Sequence, residues 1–185
     1  MSSGTLFGFL YVGRLSYEKG VDVLLDAWPA VRAEYPQATL RIVGDGPARR
    51  LLELHPSARG EGGSVSFVGS ANPPWPHYAE ASVVVLPSRS EGTPNVLLEA
   101  ICLDRRVVAT DVGGIADALG VPPAGLLVPS EQPAALARGV CDVLNGEHEA
   151  LHSGERARVR ETSSVLQRAS ALAEVYQRMS SGGGL

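Results

Sequence analysis

The sequence predicts an α/β domain built as a doubly wound, Rossmann-like parallel sheet with helices on both faces. Two observations predict it. Short runs rich in Val, Ile and Leu alternate with segments of helical periodicity along most of the 185 residues. Several of the short runs are apolar without a break, the pattern of strands buried on both faces of a parallel sheet. In such sheets ligands bind at the carboxyl ends of the strands, so the loops after each strand are where chemistry belongs.

The elements follow in order. LFGFLYVG (6–13) reads as the first strand, and VDVLLDAWPAVRAEY (21–35) as a helix with its stripe at Val21, Leu24, Leu25, Trp28 and Val31. Pro29 is expected to kink that helix or end its first part. TLRIVG (39–44) is a second strand, PARRLLEL (47–54) a helix, SARGEGGS (57–64) a polar turn and VSFVG (65–69) a third strand. NPPWPHYAEA (72–81) is a Pro-rich loop leading into a short helix, and SVVVLPS (82–88) is the strongest strand pattern. PNVLLEAICL (94–103) is a helix, followed by strand and loop in VVATDVGG (107–114) and a short helix at IADAL (115–119). GLLVPS (125–130) is a short strand, and PAALARGVCDVLNG (133–146) a helix ending at Asn-Gly. The division expected is a domain at 5–146, a helical extension at 147–180, and flexible tails at 1–4 and 181–185.

Composition excludes more than it selects. Apolar residues make up 44%, enough for a core, and the net charge of −4 carries no basic stripe that would suit nucleic acid. No apolar run reaches the ~20 residues of a membrane span, and no charged, apolar leader is read at the N-terminus. Cys102 and Cys141 share no metal-type spacing and read as buried thiols of a reducing compartment. The four histidines likewise form no metal-site pattern and read as surface residues.

Five post-strand loops remain: GRLSYEKG, GDGP, VGSANPP, PSRSEGTPN and TDVGG. GRLSYEKG (13–20) places Arg14 and Lys19 ahead of a helix, which suits an anion such as pyrophosphate, or equally two solvated cations on a turn. Gly44 and Gly46 in GDGP follow the second strand. The third glycine of a dinucleotide fingerprint is absent, because Arg49 stands there, so the pair reads as a tight turn open to a ligand's approach.

PSRSEGTPNVLLEA (87–100) is the most informative. Thr93 is the expected N-cap and Pro94 the first helical residue, with Glu91 in the loop outside. Glu99 stands five residues past Pro94, roughly 7.5 Å along the helix axis. A carboxylate among Val96, Leu97, Leu98, Ala100 and Ile101 needs a ligand hydroxyl or a basic residue to meet it, because burying it alone costs several kcal/mol. Two acids flanking a helix N-terminus suit hydroxyls on either side of a phosphate. TDVGG (110–114) closes the set, as a plain glycine turn or a place of backbone approach.

Taken in order, Gly13-Arg14-Leu15 with Lys19-Gly20, Gly44-Asp45-Gly46-Pro47, Val65–Gly69, Pro87-Ser88, Glu91–Ala100 and Val107–Gly114 resemble the C-terminal, donor-binding domain of group 1 (family 4) glycosyltransferases of the GT-B fold. The resemblance spans roughly residues 6 to 145. It implies half of a GT-B enzyme of the hexosyltransferase type, a UDP-, GDP- or ADP-linked sugar as donor, no bound cofactor, and retaining, metal-independent transfer. It implies that Arg14 and Lys19 hold the diphosphate and that Glu91 touches the donor sugar. Glu99 would meet the ribose hydroxyls. Gly92, Thr93, Asn95 and Val96 would lie near the distal phosphate and sugar, and Gly69 and Ser70 near the base. No Asp-x-Asp occurs, in keeping with cationic side chains in place of a metal.

Two departures stand out. Cys102–Arg106 replaces the glycine and proline usual after the second acid, and Thr93-Pro94-Asn95 stands where Phe-Gly is common, near the donor sugar. The resemblance also implies a cytoplasmic enzyme. The acceptor-binding N-terminal domain is absent from this sequence, and any membrane attachment would belong to it. The chain alone is then expected to transfer little or nothing. The apolar stripe at 163–180 is expected to drive self-association if it natively covers the other domain.

A nucleotide-sugar binding module without transferase activity shares all these residues and stays open. A nicotinamide-dependent oxidoreductase would need GxGxxG on the first strand, where Arg14 and Lys19 stand instead. A GT-B epimerase or phosphorylase shares the fold, and the spacing of Glu91 and Glu99 points to the transferase.

Overall fold

The computed structural model describes residues 8–60, 63–92, 94–120, 123–146 and 157. The expected helix at 163–180 and the tails lie outside them, as does Thr93. Six strands form one sheet: β1 (Gly8–Val12), β2 (Thr39–Val43), β3 (Val65–Gly69), β4 (Val83–Leu86), β5 (Arg106–Thr110) and β6 (Leu126–Val128). Their order is β3-β2-β1-β4-β5-β6, with every neighbouring pair parallel. The helices are α1 (Val21–Glu34), α2 (Arg49–Glu53), α3 (Pro56–Arg59), α4 (Trp75–Ala79), α5 (Asn95–Cys102), α6 (Ile115–Leu119) and α7 (Pro133–Leu144).

The strands are sandwiched. Along β4, Val83 and Val85 enter one core with Phe9, Leu40, Ile42 and the inner faces of α1 and α7. Val84 and Leu86 enter the other, with Leu10, Tyr78, α5 and α6. The unbroken Val-Val-Val-Leu run is therefore the physical signature of a two-faced strand. Trp28 anchors the first core, edge-on to Phe9 with ring centroids 5.4 Å apart. Its indole N–H donates to Ser64 Oγ at 3.1 Å.

Pro29 does not end its helix. α1 runs through it and buries Val21, Val23, Leu24, Leu25, Ala27, Trp28 and Val31. An internal proline costs about 3 kcal/mol. Burying each large side chain in that set returns about 1.5–3 kcal/mol, and Pro29 itself faces outward. The stretch read as a polar turn opens with α3. There Pro56 takes the first helical position, and the His55 ring accepts from the Ser57 N–H at 3.2 Å. α5 begins one residue later than expected, with Pro94 at the capping position. Cys141 is buried as expected, but Cys102 is half-buried at the end of α5. Neither forms a disulfide.

The strand ends converge. Val12 pairs with Val43, so β1 and β2 stop at one level. The Gly13 N–H donates to the Val43 carbonyl at 3.0 Å and the Gly44 N–H to the Gly69 carbonyl at 2.8 Å. Three of the loops singled out in the sequence thus leave the sheet side by side. The connections reverse direction between β1 and β4, the topological switch point of this strand order.

Candidate functional site

Two loops meet at the switch point. After β1 the chain passes Arg14, turns through a short 3-10 segment (Tyr17–Lys19) and enters α1 at Gly20. After β4 it passes Ser88 and Glu91 before α5. Lys19 Nζ donates to Glu91 Oε1 at 2.8 Å, and Ser88 Oγ donates to the same oxygen at 2.7 Å. The Glu91 side chain is only 9% exposed and the Lys19 side chain 26%. At that depth an unpaired carboxylate would cost several kcal/mol, so the pair is a condition of the loop's shape.

The backbone around Glu91 is held as closely. The Gly114 N–H reaches the Glu91 carbonyl at 3.3 Å, and the Ser88 carbonyl accepts from Thr110 Oγ1 at 2.6 Å. Gly113 has φ +53°, and a Cβ there would sit 1.9 Å from the Glu91 carbonyl oxygen. The Gly-Gly pair after β5 therefore serves close approach of protein to protein, supporting the acidic loop.

Lys19, Glu91, Arg14, Asn95 and Val96 line one cavity of about 150 Å³, with Tyr11 and Ser88 on its wall. A neighbouring cavity of about 310 Å³ is lined by Gly44, Asp45, Ser70, Ala71 and Pro74. Val12, Gly13 and Arg14 line both. Arg14 is exposed, and no hydrogen bond or ion pair holds its guanidinium among the described residues. Tyr11 donates to the Arg14 carbonyl at 2.9 Å. Burial, then the charges of Glu91 and Glu18, push its hydroxyl well above the ordinary tyrosine range, so it stays a donor.

Gly46, Gly69, Gly92 and Glu99 line neither cavity. Gly46 gives its N–H to Asp45 Oδ1 at 2.7 Å, and Gly69 turns at φ +84°. Glu99 lies four residues beyond Asn95 and three beyond Val96, on the α5 face that borders the smaller cavity. Its partner is Tyr78 on α4, whose hydroxyl donates to Glu99 Oε2 at 2.7 Å. Within the fold the partner of Glu99 is thus a tyrosine of the protein, not the basic residue or ligand hydroxyl expected from the sequence. Tyr78 lies inside the Pro-rich stretch, and nothing in its spacing marks it. His77 lies away from this site: it borders a separate cavity near the amino ends of β1 and β2, with Arg41 and Glu80.

Among the described residues no three His, Cys, Asp or Glu side chains have the arrangement of a metal site. Among the same residues no helix is long and apolar enough to cross a membrane.

The family model for glycosyl transferases group 1 matches residues 7–146. D-inositol 3-phosphate glycosyltransferase of Jonesia denitrificans is 37% identical over 162 residues, covering 80% of this chain and 37% of that protein. Glycogen synthase of Mycobacterium tuberculosis is 34% identical over 173 residues, covering 90% of this chain and 41% of that one. Among solved structures, Anabaena HepE in complex with UDP-glucose superposes with a TM-score of 0.72 at 26% identity, over 92% of this chain and 48% of its own. Sucrose-phosphate synthase from Thermosynechococcus elongatus does so with a TM-score of 0.72 at 29% identity, over 96% and 46%. The chain spans less than half the length of each of these relatives. It belongs to the group 1 glycosyltransferase family and fits the C-terminal domain of its GT-B fold.

Proposed function

We propose that this chain binds the nucleotide-sugar donor of a retaining, metal-independent glycosyltransferase, and that transfer requires a separate acceptor-binding domain. The observation that carries the reading is the convergence of Arg14, Lys19 and Glu91 on one cavity at the switch point of the sheet. Its chemistry matches a sugar diphosphate. An ammonium has three donors, and Glu91 takes one from Lys19, leaving two for phosphate oxygens. Arg14, with no hydrogen bond or ion pair on its guanidinium among the described residues, stands at the rim shared by both cavities and offers a planar fork to the same diphosphate. As the sugar leaves, charge grows on the diphosphate, and fixed cations stabilise that charge without an ion.

Glu91 has a second oxygen for a sugar hydroxyl beside Asn95 and Val96. In this reading the larger cavity, with Ser70, Ala71 and Pro74, takes the base. Glu99, steadied by Tyr78, takes the ribose hydroxyls. The complex of HepE with UDP-glucose supports a uridine diphosphate sugar as the first donor to test. The relatives' greater length supports a second domain that closes the cleft, excludes water and orients the acceptor.

Thermal unfolding with UDP-, GDP- and ADP-sugars tests it. At ten times the dissociation constant a ligand adds about 1.4 kcal/mol, or about 3–6 °C in a domain of this size. One donor class is expected to give that shift, unchanged by EDTA, and Arg14→Ala and Glu99→Ala to abolish it while remaining folded. No shift with any class, at any soluble concentration, overturns the reading.

A further inference from the structure

We infer that Arg89 is a positioning residue: it locks the loop carrying Glu91 to the turn carrying Lys19, and so sets the geometry of that pair. The inference rests on the donor-site reading for its functional meaning, but its structural content stands alone. Lys19 and Glu91 lie 72 positions apart, each on a loop, yet meet at 2.8 Å. Loops do not hold such a distance unaided, because their backbones lack the ladder bonds of sheet and helix.

Arg89 supplies the missing constraint: it stands two residues before Glu91 and bonds to Tyr17 and Asp22, on either side of Lys19. Its Nη1 and Nη2 form a fork onto Asp22 at 2.9 and 2.7 Å, in the first turn of α1. Nη1 also donates to the Tyr17 carbonyl at 2.7 Å, and the guanidinium sits 4.1 Å from the Tyr17 ring centroid. Nε donates to Glu131 Oε1 at 2.8 Å, on the turn before α7. The backbone adds two bonds in the same direction: the Arg89 and Ser90 N–H groups both donate to the Glu18 carbonyl, at 2.8 and 3.4 Å.

The contacts are directional. Tyr17 and Glu18 immediately precede Lys19, and Arg89 precedes Glu91 by two residues, so the clamp and the pair share both segments. The Arg89 side chain is 15% exposed. Two carboxylates and a carbonyl take four of its five donors, which is what permits a cation that depth. Lysine cannot replace it. An ammonium lacks the planar fork and the flat face that reaches the Tyr17 ring. A clamp that only stabilised the fold would raise overall stability and leave the Lys19–Glu91 contact indifferent to it.

Double-mutant cycles in urea separate the two. Lys19→Ala, Glu91→Gln and the double variant are compared in the Arg89 background and in Arg89→Ala. With Arg89 present the pair is expected to couple by about 3–10-fold in the unfolding constant. With alanine the coupling should fall to unity, and with Arg89→Lys to less than half its logarithm. Should Arg89→Ala fail to fold, Asp22→Asn, which weakens the fork, carries the same comparison and should reduce the coupling. Coupling that survives in these backgrounds overturns the inference. UDP binding is measured alongside, with a roughly tenfold weaker dissociation constant expected for Arg89→Ala. Unchanged UDP affinity would refute the link to the site. If UDP fails to bind the unmodified chain while coupling still depends on Arg89, the uridine-donor assignment falls and the clamp stands.

Discussion

Tyr78→Phe isolates a single hydroxyl in the second core. Tyr78 is 0% exposed and packs with α5 and α6, while Trp75 lies 6.0 Å from its ring. Phenylalanine keeps the ring, so no cavity opens. What goes is the donor to Glu99 Oε2 at 2.7 Å. Burial, then the Glu99 charge, hold that hydroxyl protonated, far above the ordinary tyrosine value, so the bond is a neutral donor to an acceptor carboxylate. Bonds to charged groups contribute about 1.5–3 kcal/mol. Glu99 is half-buried, and water can replace part of the loss, so the lower end applies: about 1.5 kcal/mol. In a urea titration the slope should be unchanged and the midpoint should drop by about 0.5–1.5 M. Tyr78→Phe/Glu99→Leu should recover much of that loss, because removing both polar partners leaves nothing unsatisfied. A phenylalanine variant within about 0.3 kcal/mol of the parent would refute the reasoning, since measured differences of that size are indistinguishable from additivity error.

Two further outcomes follow from the geometry. Gly113→Ala combines a left-handed penalty of about 1–2 kcal/mol with a Cβ 1.9 Å from the Glu91 carbonyl. It should destabilise by more than 2 kcal/mol in urea and abolish the donor-dependent thermal shift; a neutral variant would show the β4 loop to be adaptable. Burial, then Glu34, pushes the Cys141 thiol up to about 12. At pH 8 its thiolate fraction falls roughly a thousandfold below that of an ordinary cysteine. Alkylation by iodoacetamide, followed by mass spectrometry, should be slower by at least that factor, and labelling at the rate of a free thiol would contradict the burial.

The legible parts of this protein are those that local pattern alone decides. The unbroken apolar run at 6–13 reads as a strand buried on both faces and the run at 82–88 as the strongest strand, and both positions are strands, Gly8–Val12 and Val83–Leu86. Arg14, Lys19 and Glu91 stood out as charged residues of post-strand loops that match the family's motifs, and the structure brings them to one cavity. Their pairing was not readable, since Lys19 suggested a phosphate and Glu91 a hydroxyl, and neither suggested the other. Tyr78 was hidden for a different reason. Its neighbour Glu99 demanded a partner, but a residue 21 positions away on another helix is found only by packing. Pro29 left a kink and an end both open, because propensity is a local quantity, and the burial along α1 carries the helix through it. Arg89 carried no signal at all: a lone arginine in a loop looks solvated until Asp22, Tyr17 and Glu131 are seen around it.

The strand order explains why the acid and the cation must solve each other's problem. β1 and β4 are neighbours, yet α1 packs on one face of the sheet and α5 on the other. Their connecting loops therefore part company, and the gap between them is a crevice that either a ligand or protein must fill. Glu91 stands in that crevice at 9% exposure. Left alone there, its charge would cost more than the loop's other bonds return, and the loop would rearrange. Lys19 prevents this before any donor arrives. On the proposed donor-binding reading, the same ammonium neutralises an entering diphosphate without releasing the carboxylate. Its three donors allow that, where a single-donor residue would not. Lys19 thus has two obligations, one to the empty fold and one to the ligand. On that same reading, a substitution there that weakens donor binding measures their sum, and the comparison with Arg14, which carries no ion pair among the described residues, separates a phosphate contact from the shape of the acidic loop.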